Sequence, residues 1–106
     1  DEEYLAALEV VPRLLDAHRP DIVFYLAGAD PYEGDRLGRL RLTIQGLAAR
    51  DRLVFEACGV RHLPVAVTMS GGYAPDIEAI VTIHLNTIKE AVWHSSNLAA
   101  RRLHSA

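Results

Sequence analysis

The chain has few cysteines, no excess of positive charge and no long apolar run, and each of these absences excludes a class of protein. It contains one cysteine, Cys58, in 106 residues, which excludes an internal disulfide and a cysteine-rich zinc site. Its net charge is −3, so the composition gives no indication of a strongly basic surface that would bind nucleic acid. No apolar run approaches the roughly 20 residues of a membrane-spanning helix, and no signal peptide is evident. We therefore expect a cytoplasmic protein that partners neither nucleic acid nor membrane.

The residues that are present suit one small globular unit. Half of them are hydrophobic, which is typical of a chain that buries a core, and the length allows a single domain. Residues 1–106 are assigned to one domain, in which the polar and basic stretch 94–106 forms a tail.

Hydrophobic spacing predicts the order helix, strand, helix, strand, helix. A helical region over residues 2–18 should break near Val10 or Val11, because Pro12 suits the first turn of a new helix. Thr43 should cap the middle helix. The last helix should bury one apolar face, made of Ile77, Ile80, Val81, Leu85, Ile88 and Val92.

The two predicted strands, 21–29 and 65–69, are joined by a helix, so they should lie parallel with a right-handed crossover. The first is apolar without alternation, which is typical of a strand covered on both faces. Two strands make a poor sheet. We expect these strands to pair with strands outside this chain or with a second copy.

Polar residues follow both predicted strands. Asp30 comes after Ala27-Gly28-Ala29, and Tyr73 comes after Ser70-Gly71-Gly72. Parallel strands bring their carboxyl ends to one edge, where open α/β folds bind ligands. A carboxylate there can ligate a metal or act as a base, and a phenol can donate to an oxyanion. The alternatives are a turn-capping Asp30 and a Tyr73 packed on the last helix.

Other chemistries fit less well. A glycine-rich turn between strand and helix suggests nucleotide binding at Gly71-Gly72, but the Walker and G-x-G-x-x-G patterns are absent. Ser70 lacks the G-x-S-x-G context of a nucleophile elbow, since Thr68 stands at the first glycine position.

Several strings together resemble the carboxyl-terminal third of the histone deacetylase family, most closely its class IV branch and related bacterial deacetylases. The resemblance covers residues 4–92 and rests on residues 20–30, Glu33-Gly34-Asp35-Arg36-Leu37-Gly38, Leu42-Thr43, Gly46-Leu47, Arg50-Asp51, Val54-Phe55, Pro64-Val65 and Ser70-Gly71-Gly72-Tyr73.

The resemblance implies a three-layer α/β/α, arginase/deacetylase-like domain with parallel strands, of which this chain is a partial, carboxyl-terminal fragment. It implies zinc-dependent hydrolysis of acetyl-lysine or a related small acyl-amine. Asp30 matches one of three zinc ligands, and Tyr73 matches the catalytic donor to the substrate carbonyl. Leu37, Gly71 and Gly72 match the walls of the substrate pocket, and Asp35 matches a loop carboxylate to which we assign a structural role.

The family's tandem His-His pair is absent from this chain. Its Asp-x-His segment, which supplies the other two zinc ligands, lies upstream of the strand that ends in the zinc-binding Asp. We therefore expect a fragment that is inactive alone, with zinc bound in the complete protein. The alternative is a stand-alone, non-catalytic α/β module that forms homo-oligomers through its exposed sheet edges.

Overall fold

A computed structural model describes residues 1–35 and 40–105, with side chains through residue 97. Two short helices, α1 (Glu2–Ala7) and α2 (Val10–His18), precede strand β1 (Val23–Leu26). Helix α3 (Ile44–Gly59), strand β2 (Val65–Thr68) and helix α4 (Ile77–Ser105) follow. The predicted order of elements is confirmed, and so is the break between the first two helices.

The two strands are parallel, with Val23 opposite Val65 and Leu26 opposite Thr68. Their ladder is shorter than the predicted strand 21–29, because the chain leaves extended geometry after Leu26. There the amide of Gly28 donates to the Leu26 carbonyl over 3.0 Å. The parallel arrangement puts both carboxyl ends at one edge of the sheet.

The described residues cover one face of this sheet and leave the other open. Tyr25 packs edge-on against Phe55 of α3, with ring centroids 5.7 Å apart. Phe24 and Leu26, which point to the opposite face, are 66% and 65% exposed. The prediction of a strand covered on both faces is therefore wrong for the described residues. What they form is a mixed α/β unit with a small parallel sheet, and a third layer is not seen among them.

The core lies where α3 and α4 pack behind the sheet. Its centre consists of Ala29, Leu42, Leu47 and Ile83, each no more than 3% exposed. The Thr43 hydroxyl accepts a hydrogen bond from the Gly46 amide over 2.9 Å, which confirms the predicted cap of α3. Asp76 caps the start of α4, where its carboxylate accepts hydrogen bonds from the amides of Glu78 and Ala79.

Helix α4 buries a different face from the one its spacing predicts. The buried positions are Ala79, Ile83 and Thr87. Ile83 packs in one cluster with Leu47 of α3, and Thr87 donates to Asp51 of α3. Of the predicted stripe only Ile80 packs against the core, whereas Ile77, Val81, Leu85, Ile88 and Val92 are exposed. The two sets are offset by two residues, about 200° around a helix. The helix also continues through Ser105, into the stretch predicted to be a tail.

No helix among the described residues is long and apolar enough to cross a lipid bilayer.

Candidate functional site at the carboxyl ends of the strands

The two strand ends stay in contact beyond the sheet. The amide of Ala27 donates to the Thr68 carbonyl over 2.9 Å, and the amide of Ala29 donates to the Gly71 carbonyl over 2.8 Å. Ala27 and Ala29 are fully buried, so this junction belongs to the core rather than to a surface loop. The turn that carries Asp30 is thereby held against the turn that leads to Tyr73.

The side chain of Asp30 lies directly over Gly71. A Cβ atom placed on Gly71 would stand 2.5 Å from Asp30 Oδ1 and 2.8 Å from Oδ2. The φ of Gly71 is not positive, so what glycine provides here is room for the Asp30 side chain rather than backbone freedom. Gly72 is also crowded, because a Cβ there would lie 3.0 Å from the Ala29 Cβ. Both glycines therefore leave room for neighbouring side chains of this chain, those of Asp30 and Ala29.

Tyr73 follows this turn, and its side chain is 56% exposed. Its backbone amide donates to Asp35 Oδ2 over 2.7 Å, across 38 residues of sequence. Asp35 itself is 9% exposed. The turn after β2 is therefore anchored at Gly71, by Ala29, and at Tyr73, by Asp35.

A buried charged group that sequence reasoning did not single out supports the other strand end. The Arg50 guanidinium donates through Nη1 to the Gly28 carbonyl over 2.7 Å. This carbonyl and the Ala29 amide belong to one peptide group, which is thus held from both sides. Arg50 is 4% exposed, and its guanidinium lies 5.7 Å from the centre of the Tyr25 ring.

Asp51 balances this buried cation. It is completely buried, and its Oδ1 accepts from Arg50 Nε and Nη2 over 3.1 and 3.0 Å and from the Tyr25 hydroxyl. Its Oδ2 accepts from the Thr87 hydroxyl. Burial, together with the hydrogen bond to Asp51, raises the pKa of Tyr25 well above its usual value. The phenol therefore stays protonated and donates.

A signal for this pair exists in the sequence. Leu47, Arg50, Asp51 and Val54 follow helical spacing, so two opposite charges stand on the face that α3 buries. Buried charges are rare unless they are paired, and such a pair within an apolar stripe indicates an internal network.

A cleft of about 290 Å³ opens beside Asp30. Among its lining residues are Gly28, Asp30, Arg50 and Ser70. A larger cleft of about 510 Å³ lies between α3 and α4, lined by Arg52, Glu56, Lys89, Glu90, Trp93 and His94. It includes none of the predicted site residues, so volume alone does not identify the site.

Leu37, predicted to line the substrate pocket, lies outside the described residues.

The chain does contain one Asp-x-His triplet, Asp16-Ala17-His18, within α2. There Asp16 pairs with Arg61 over 2.8 Å, and Arg61 lies before β2, at the end of the sheet opposite to Asp30. This triplet is therefore not placed to share a metal with Asp30.

The described residues do not form a complete zinc site. No group of three or more His, Cys, Asp or Glu side chains close enough to hold a metal occurs in 1–35 and 40–105. Asp30 offers one carboxylate, whereas catalytic zinc sites use three protein ligands.

The small parallel sheet and its helices place this chain among the α/β proteins. In open folds of this class, ligands bind at the carboxyl ends of the strands. Residues 1–88 match the histone deacetylase domain. The chain belongs to the histone deacetylase family.

Two relatives illustrate the match. The chain is 45% identical over 85 residues to an uncharacterized protein of Picosynechococcus. The aligned segment covers 79% of this chain and 28% of that protein. It is also 38% identical over 76 residues to histone deacetylase 2 of Arabidopsis thaliana. Here the aligned segment covers 68% of this chain and 19% of that protein. The chain therefore spans less than a third of the length of these curated relatives.

Proposed function

We propose that this chain supplies the carboxyl-edge part of a zinc-dependent deacetylase site. One observation supports this most directly. The Asp30 carboxylate lies over Gly71, and Gly71 is two residues before Tyr73, in a chain of the histone deacetylase family. Family membership supports hydrolysis of an acylated amine, such as acetyl-lysine, as the reaction.

Zinc, when bound in such a site, polarises an acyl carbonyl and activates water. Asp30 would be one ligand to it. Because the described residues do not complete the ligand set, the remaining ligands and the proton-transfer groups would come from outside this chain.

Tyr73 would act on the substrate directly. A phenol is a hydrogen-bond donor at neutral pH, and its exposed side chain can reach a ligand at the sheet edge. A donor fixed beside the reacting carbonyl stabilises the tetrahedral oxyanion more than the planar ground state. Gly71 and Gly72 would form the pocket wall between Asp30 and Tyr73, and Leu37 would complete the wall of the acyl channel.

A segment exchange tests the proposal. The matched 76-residue segment of Arabidopsis histone deacetylase 2 is replaced by the corresponding residues of this chain, and turnover of an acetyl-lysine peptide is measured. We expect the 106-residue chain to be inactive alone and the chimera to be active.

Two substitutions in the chimera assign the roles. Tyr73→Phe should lower kcat by about 10²–10³-fold, the range measured for the loss of one oxyanion donor. Asp30→Asn should weaken zinc binding, measured by competition with a chelator, whereas Asp76→Asn, a carboxylate in the same region that caps α4, should leave zinc binding unchanged. Wild-type kinetics and zinc affinity in both site variants, in a folded chimera, would refute the proposal.

A further inference from the structure

Tyr73 lies in a segment without regular secondary structure, between β2 and α4. Its ring is more than half exposed, so packing by itself does not determine where its hydroxyl points. A catalytic donor must nevertheless be held closely, since a displacement of about 1 Å can cost about 10²-fold in rate. The backbone from which the ring projects therefore needs another restraint.

Asp35 provides that restraint. Its Oδ2 accepts the Tyr73 amide over 2.7 Å, a distance typical of a hydrogen bond to a charged acceptor. Asp35 is almost completely buried, with 9% of its surface exposed. A buried carboxylate that accepts a backbone amide holds that amide more firmly than a solvated one does.

The segment that carries Asp35 is itself attached to the core. The Asp35 amide donates to the Tyr32 carbonyl over 3.0 Å. On either side of Tyr32, the Glu33 amide donates to the Leu42 carbonyl and the Leu42 amide donates to the Pro31 carbonyl, each over 2.9 Å. Leu42 is 3% exposed and belongs to the central cluster. Asp35 thus connects the backbone of Tyr73 to the buried core.

We propose that Asp35 is a positioning residue for Tyr73, and that it acts on deacetylation only through the orientation of that phenol. This inference rests on the proposed function of Tyr73. It goes beyond a purely structural role for Asp35, because it predicts that the catalytic effect of Asp35 disappears once the phenol is removed.

A double-mutant cycle in the chimera separates the two roles. Asp35→Ala should lower kcat by about 10–100-fold and change KM less than threefold, because an oxyanion donor acts mainly in the transition state. In the Tyr73→Phe background, Asp35→Ala should cause no further loss of kcat. Asp35→Asn, which retains an oxygen acceptor, should recover part of the rate and guards against a folding defect in the alanine variant.

The matched control is Asp76→Ala. Asp76 also accepts backbone amides, those of Glu78 and Ala79 over 3.0 and 3.3 Å, but it lies beyond Tyr73 and does not contact its amide. This variant should lower stability and leave kcat within about threefold of wild type.

A second readout needs no activity. In the full 106-residue chain, amide hydrogen exchange at Tyr73 should be faster in Asp35→Ala than in wild type, and unchanged in Asp76→Ala.

The outcomes distinguish the two proposals. If Tyr73→Phe leaves kcat unchanged, the proposed function fails and this inference fails with it. If Tyr73→Phe lowers kcat but the losses from Asp35→Ala and Tyr73→Phe multiply, Asp35 does not act through the phenol, and only the inference is overturned. If both Asp35 variants have wild-type kcat, the inference is also overturned, while the proposed function of Tyr73 stands.

Discussion

At the scale of single residues, the site depends on how little space separates the two strand ends. Gly71 leaves room for the Asp30 carboxylate, and Gly72 leaves room for Ala29. The two crowded neighbours differ in how they can respond. The Asp30 carboxylate is exposed and can rotate away, whereas Ala29 is 1% exposed and is fixed in the core.

This difference predicts different effects for three glycine-to-alanine substitutions. Gly72→Ala should lower the free energy of unfolding by about 1–2 kcal/mol, since overpacking displaces buried backbone. Gly71→Ala should cost less than about 1 kcal/mol, because the Asp30 side chain can turn aside, but it should abolish the NMR contact between the Asp30 side chain and the residue at 71. Gly59→Ala, with nothing within 4 Å of the new Cβ, should be neutral or stabilise by about 0.5–1 kcal/mol.

Urea denaturation of the three variants measures these differences. A Gly72→Ala protein as stable as Gly59→Ala would show that the strand ends are further apart than the 3.0 Å approach of the new Cβ to Ala29 implies.

At the scale of elements, one buried polar network joins the sheet to both long helices. Asp51 of α3 accepts from Tyr25 of β1 and from Thr87 of α4, while Arg50 offsets its charge. Removing one partner of a buried ion pair costs about 3–5 kcal/mol, because the other charge is left uncompensated. The network therefore specifies how β1, α3 and α4 fit together, and through Arg50 it also holds the Gly28 carbonyl beside the site.

The raised pKa of Tyr25 predicts a loss of stability at alkaline pH. The phenol ionises more readily in the unfolded chain, near its ordinary pKa of about 10, than in the folded one. Stability should therefore be complete below about pH 10 and should fall as the pH rises above it.

Urea midpoints between pH 8 and pH 11 test this dependence. Tyr25→Phe should flatten the decline. Thr87→Val, which removes another donor to Asp51 without removing a titrating group, should lower stability at every pH and keep the wild-type slope. An equal slope in wild type and Tyr25→Phe would contradict the assignment.

At the scale of the whole molecule, the described residues leave apolar surface uncovered on two sides. The open face of the sheet carries Phe24 and Leu26, and the outer face of α4 carries Val81 and Leu85 among others. Large exposed apolar areas are uncommon in monomers and mark interaction surfaces. Among the described residues, the two-stranded ladder leaves both of its edges unpaired, and unpaired edges favour association.

We expect the isolated chain to self-associate through the sheet. Its mass at micromolar concentration, measured by light scattering, should exceed the 11.7 kDa of one chain. Phe24→Lys should shift the mass towards that of a monomer, because it places a charge on the open sheet face. Val81→Lys is the matched control on α4 and should have a smaller effect. A larger decrease in mass for Val81→Lys than for Phe24→Lys would identify α4 as the association surface.

The sequence predicted those features that depend on local geometry. Thr43 caps α3 and the break before Val10 occurs because capping and proline effects act within one helical turn. The parallel strands, and with them the common edge of Asp30 and Tyr73, follow from the length of the crossover. The family could be recognised from strings of residues because the site motifs are contiguous.

Contacts between residues distant in sequence became visible only in the folded chain. Several faces of α4 are apolar enough to pack, and α3 selects the one with Ala79, Ile83 and Thr87. The attachments of Arg50 to Gly28 and of Asp35 to Tyr73 span 22 and 38 residues. Local sequence patterns thus account for the helices and strands and for the residues that stand at the strand ends. The fold decided which buried charges hold them in place, because such partners are set by three-dimensional packing and not by spacing along the chain.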